Sequence, residues 1–95
     1  MFVVLLNLST HKDQAPRHME AHKAWLQRGF DDGVFLVAGS QAHGKGGAIV
    51  AHNTSRAELE ARVAGDPFVV EDVVKTEFIE MSPSRVDERL RFLLA

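Results

Sequence analysis

The sequence predicts an α+β domain with the element order β-α-β-β-α-β. Three patterns carry that reading: a nearly unbroken apolar run at Phe2–Leu8, two segments with helical spacing at 16–29 and 55–64, and strand-like runs at 34–38, 48–52 and 73–81. The chain has 95 residues, 45% hydrophobic and 25% charged, which fits one domain around one core. A domain of this size buries somewhat above ~60% of its extended-chain surface and needs no disulfide or metal to hold it.

Phe2–Leu8 reads as a central strand covered on both faces. Residues 9–14 are polar and turn-like, and Pro16 suits the first turn of a helix, where its missing N–H costs nothing. That helix runs to about Gly29. Ala15, Met19, His22, Leu26 and Phe30 recur along one inward face, while Glu20, Lys23 and Gln27 fall off it. Asp31-Asp32-Gly33 turns the chain into a second strand at 34–38, which ends at Gly39-Ser40. Residues 41–47 form a glycine-rich hairpin loop before the third strand at 48–52. Ser55 and Glu58 have the spacing of a capping box, opening a second helix to about Ala64. Gly65-Asp66-Pro67 breaks it, a turn follows around Phe68-Val69-Val70, and 73–81 alternates as a fourth strand with one wetter face. Met81-Ser82-Pro83-Ser84 then separates a domain at 1–83 from a tail at 84–95, where Val86, Leu90, Leu93 and Leu94 have the spacing of a short C-terminal helix.

This order is the ferredoxin-like arrangement, an antiparallel sheet with both helices on one face. Strands two and three are apolar at both parities, so the helix-free face is expected to be apolar as well. A patch of that kind exceeds what a monomer usually exposes, and the expectation is a homodimer with packed sheets.

Several function classes fall away on composition. With no cysteine, disulfides, iron–sulfur ligation and thiolate chemistry are excluded, and a cytoplasmic setting is expected. Eleven Lys+Arg against thirteen Asp+Glu give a net charge of −2, without the basic excess that a nucleic acid partner needs. An RNA reader on this fold would also carry stacking aromatics on its central strands, and residues 3–6 and 46–50 have none. The apolar N-terminal run is broken at Asn7, far short of a membrane span, so no membrane partner is expected. No dinucleotide or phosphate-loop pattern occurs, and no cofactor is implied. A Gly-x-Ser-x-Gly elbow and tyrosine are both absent, which removes serine hydrolase and phenol mechanisms.

Histidine and carboxylate are left as the main sources of chemistry. His18 and His22 lie four apart, but Glu20 stands one position late for a metalloprotease helix, ~100° round from where the general base belongs. No metal is therefore expected. An imidazole at His22, on an otherwise apolar stripe, serves either as an acid–base group or as a core histidine bonded to a backbone carbonyl. Asp66, before Pro67, is either a turn former or a carboxylate that holds the tautomer of His22. The segment 39–47 brings Ser40, His43 and Lys45 together with flexible glycine backbone, suited to a polar ligand group or simply to a hairpin. Trp25 and Phe68 serve as pocket walls or as ordinary packing.

Taken in order, these residues resemble the YciI-like (YCII-related) family of the dimeric α+β barrel superfamily. The resemblance covers 1 to about 83. It rests on the apolar first strand, His22 with Ala24-Trp25-Leu26, the run Gly33-Val34-Phe35-Leu36-Val37-Ala38-Gly39-Ser40, the Gly46-Gly47 pair, Ser55-Arg56-Ala57-Glu58-Leu59 and Asp66-Pro67-Phe68. Membership implies a dimeric α+β barrel with His22 and Asp66 as an acid–base dyad in a cleft beside the sheet. It also implies lyase-type chemistry like that of a relative that removes chloride from a chlorinated hydroxyhydroquinone. The chain departs from the family at Ser40, where Pro is frequent, and at Met19, where many members carry Arg.

The expected function is a small-molecule enzyme of lyase or isomerase type. His22 would be the base and Asp66 its orienting partner, with Ser40, His43 or Lys45 on a polar substrate group and Trp25 and Phe68 lining the pocket. The alternative is a non-catalytic module that binds a small ligand or serves as an accessory subunit, with His22 purely structural.

Overall fold

Alternating burial along the first strand fixes the two sides of the sheet. In the computed structural model, which describes residues 1–94, β1 (Phe2–Leu8) buries Phe2, Val4 and Leu6 and leaves Val3 and Leu5 half-buried on the opposite side. It is the central strand, hydrogen-bonded on one edge to β3 (Gly46–Ala51) and on the other to β4 (Val74–Glu80). β2 (Phe35–Ser40) pairs with β3, and the antiparallel order β2-β3-β1-β4 is that of the ferredoxin-like α+β fold.

Three helices lie on the face marked by Phe2, Val4 and Leu6. α1 (Ala15–Asp31) carries Pro16 in its first turn, as expected. Its buried line is His22, Trp25 and Gly29, rotated from the expected stripe so that Phe30 is left exposed. Close approach explains the rotation: a Cβ on Gly29 would sit 2.1 Å from the Phe35 ring, so this is where α1 presses onto β2. α2 (Arg56–Ala64) begins with the expected capping box. Ser55 Oγ accepts the Glu58 N–H at 3.1 Å and the Ser55 N–H donates to the Glu58 carboxylate at 3.2 Å. Leu59 and Val63 from this helix, with Trp25 and Phe68, meet Val4, Phe35, Ile49 and Ala51 in the core.

Two elements differ from expectation. Residues 67–70 form a short helix, α3 (Pro67–Val70), rather than a turn, because Asp66 caps it and Pro67 supplies its first residue. The tail winds in 3₁₀ turns over Glu88–Leu94, kinked at Leu90, with Leu90, Phe92 and Leu94 exposed. Phe92 lies edge-on to His52 with ring centroids 5.4 Å apart, at the end of the sheet near Met1.

A bulge in β2 decides which of its side chains face the helices. Phe35 pairs with Ala51, but the register slips before Val37, so that Ala38 stands opposite Ile49 and Ser40 opposite Gly47. Ala38 and Ser40 consequently join Phe35 on the helix side, while Val37 turns outward and is 59% exposed. The helix-free face carries Val3, Leu5, Val37, Ala48, Val50 and Ile79, with Lys75 and Glu77 supplying the wetter side of β4. Among the described residues no helix is long and apolar enough to cross a membrane.

Candidate active site

The space between the first half of α1 and the β1/β3/β2 side of the sheet is not filled. A cavity of about 390 Å³ opens there, within the ~300–1,000 Å³ range of small-molecule sites. Small residues make the room. Ala15 lines it from α1 and Ala38 from β2, and Gly39, Gly46, Gly47 and Ala48 border it from the sheet and its hairpin, Ala48 with its side chain on the other face. Gly46 cannot be larger, since its φ of 134° lies in the glycine region and a Cβ would meet the Leu6 carbonyl oxygen at 2.0 Å. Gln41 braces the hairpin by donating to Asn7 Oδ1 and to the Gly47 carbonyl, each at 2.9 Å.

His22 stands in the wall of this cavity and is only 8% exposed. Its Nδ1 lies 2.8 Å from Asp66 Oδ1. A carboxylate has no proton to give, so the imidazole donates from Nδ1, and Nε2 is left as the ring nitrogen without a partner among the described residues. The same Oδ1 accepts the Phe68 N–H at 3.0 Å, the capping bond of α3, while the buried Oδ2 has no partner among the described residues. Phe68 stacks face to face on His22, with centroids 4.0 Å apart and planes 4° from parallel. The imidazole is held in one plane by the ring and in one tautomer by the carboxylate.

The remaining expected site residues divide. Ser40 and Phe68 line the cavity. Trp25 lies beside His22, ring centroids 5.9 Å apart, but is not among the lining residues; its indole N–H donates to the Arg62 carbonyl at 3.0 Å and ties α1 to α2. His43 and Lys45 are exposed on the hairpin, outside the cavity lining, His43 in a left-handed conformation with φ 63°. His18 turns toward a separate polar groove with His11, Gln14, Arg17 and Glu71, and no group of three potential metal ligands is found among the described residues.

Lys23 lines the cavity although the sequence reading put it off the inward face. Helical spacing held the clue: Met19 and Leu26, four before and three after it, line the cavity too, so Lys23 shares their edge of the helix.

With an imidazole base backed by a buried carboxylate at the wall of an apolar cavity, the arrangement can take up and return a proton on a small molecule. Comparison with solved structures finds the same fold in 5-chloro-2-hydroxyhydroquinone dehydrochlorinase from Burkholderia phenoliruptrix AC1100, in complex with 2,5-dihydroxybenzoquinone. The TM-score is 0.70 and the identity 16%, over 85% of this chain and 93% of that one. No curated protein matches the chain. The model of the YCII-related domain matches residues 1–82, which span all four strands and the three helices of the core, and the chain therefore belongs to the YCII-related family.

Proposed function

We propose that this protein is a small-molecule enzyme of lyase or isomerase type whose acid–base group is His22, oriented by Asp66. The observation that carries the reading is the 2.8 Å bond from His22 Nδ1 to the fully buried Asp66, which leaves Nε2 free at an apolar cavity. In the reaction Nε2 takes a proton from a carbon or hydroxyl of the substrate. The electron pair left behind forms the new double bond, and a leaving group such as chloride departs with its bonding pair. In the isomerase variant the proton instead returns at another carbon. Asp66 stabilises the imidazolium formed on the way, and Ser40, across the cavity, contacts a polar substrate group. The dehydrochlorinase of the same fold makes halogenated phenols and quinones the first substrates to try.

The rival reading, a non-catalytic ligand-binding or accessory subunit, draws on one specific fact: Asp66 also caps α3, so the pair has a structural use. Exchange of His22 separates the two. His22→Asn is expected to fold and to lose turnover of chlorinated hydroquinones by about 10²–10⁴-fold. Wild-type protein inert on such substrates, together with a His22→Asn variant that unfolds, would leave the histidine a structural part only.

The helix-free face, apolar and half-exposed, supports a homodimer in which a second copy covers it.

A further inference from the structure

The cavity is lined by apolar side chains and backbone apart from three polar side chains, those of His22, Lys23 and Ser40. None of the lining residues is acidic. Asp66 stands behind His22 and is already engaged by the imidazole and by the Phe68 N–H. Lys23 makes none of the ion pairs found among the described residues, whereas four arginines take part in them. An ammonium that edges an apolar cavity without a counter-ion attracts an anion. Its position suits a ligand group at the mouth: it is flanked along the helix by Met19 and Leu26, which also line the cavity, and it is itself exposed.

From this we infer that Lys23 is the anion-binding residue of the site and that the substrate is a small molecule with an ionised oxygen, a phenolate or enolate. The inference rests on the proposed reading of this cavity as a substrate site. The ionised oxygen follows from charge. Lys23 and His22 both line the cavity, so an oxygen held at Lys23 keeps the rest of the ligand in the same space as the imidazole. Negative charge that grows on the ligand as His22 removes a proton is then drawn toward the same ammonium. Lys23 thereby distinguishes ionisable hydroxylated ligands from neutral ones of the same shape.

Binding and turnover test it separately. Isothermal titration of the wild type, Lys23→Met, Lys23→Arg and His22→Asn uses 2,5-dihydroxybenzoquinone as the anionic probe and 2,5-dimethoxybenzoquinone as its neutral counterpart. The wild type is expected to bind the anion more tightly than the dimethyl ether, with an affinity that falls as salt is raised. Lys23→Met, which keeps the stem and removes the charge, is expected to weaken the anion about tenfold or more, the ratio for one charge-assisted hydrogen bond, and to leave the ether unaffected. Lys23→Arg restores most of the loss, and His22→Asn still binds. Equal affinity for both probes overturns the inference, as does an unchanged Lys23→Met. So does an absence of saturable binding up to about 1 mM, the upper end of ordinary KM values. Lys23-dependent binding with no turnover of any chlorinated analogue sinks the enzyme reading and leaves the anion site standing.

Discussion

Asp66 combines two duties that make opposite demands on a substitution. As the cap of α3 it needs an oxygen that accepts the Phe68 N–H, which Asn supplies as well as Asp. As the partner of His22 it needs a negative charge against the imidazole. Asp66→Asn is therefore expected to keep the fold and to cut turnover by about 10²-fold or more, whereas Asp66→Ala also loses stability. The alanine strips the cap and strands a buried imidazole N–H, at about 1–3 kcal/mol for the unpaired donor, readable in a denaturant titration. An Asp66→Asn variant with undiminished turnover would remove the carboxylate from the mechanism. At this scale the sequence made His22 and Asp66 conspicuous separately, one as a polar residue on an apolar stripe and the other before a proline. Their contact, 44 positions apart in the chain, depends on where α2 delivers Asp66 after its last turn. Lys23 is not marked by a stripe drawn at 3–4 spacing, which picks out the centre of a helix face and not the edge that borders a cavity.

Elements place the site, and the capping box at the start of α2 can be tested alone. Glu58 has its carboxyl held below its ordinary range by hydrogen bonds from the Ser55 hydroxyl and then the Ser55 amide. A depressed carboxyl contributes stability that is present above its unfolded-state pKa and is lost as the pH falls through its lower folded-state value. Ser55→Ala is expected to cost about 1 kcal/mol near neutral pH. The gap to the wild type should narrow in acid, below the usual Glu value of about 4.3, and a gap independent of pH would mean that the Glu58 half of the box is idle. The box was legible as Ser55 and Glu58 three apart. The bulge in β2 was not. Val34, Leu36 and Ala38 or Phe35 and Val37 were equally good inward faces on pattern, and only the slip between Phe35 and Val37 turns Ser40 into the cavity. The 67–70 segment was similarly ambiguous, since Asp-Pro opens a turn and a short helix by the same first bonds.

For the molecule as a whole, the two sheet faces have unequal cover. Helices bury Val4 and Ile49 almost completely, while Val37 and Ile79 on the opposite face remain 59% and 47% exposed in the single chain. If a second copy covers that face, light scattering at micromolar concentration gives twice the monomer mass, and Val37→Asp shifts it toward the monomer by burying an unpaired charge. A wild-type monomer contradicts the packed-sheet arrangement. Leu90, Phe92 and Leu94 of the tail stay exposed, since a 3₁₀ winding kinked at Leu90 does not keep the spacing of an α-helical face. By itself the sequence determined the order of strands and helices, the apolar character of both sheet faces and the residue types available for chemistry. Those are set by local periodicity, capping and composition. Tertiary structure alone decided that His22 meets Asp66, that Ser40 and Lys23 border one cavity and that His43 and Lys45 stay outside its lining. A hydrogen bond across 44 residues, a one-residue bulge and a close helix–sheet contact at Gly29 are properties of packed elements, and a pattern read within one element does not contain them.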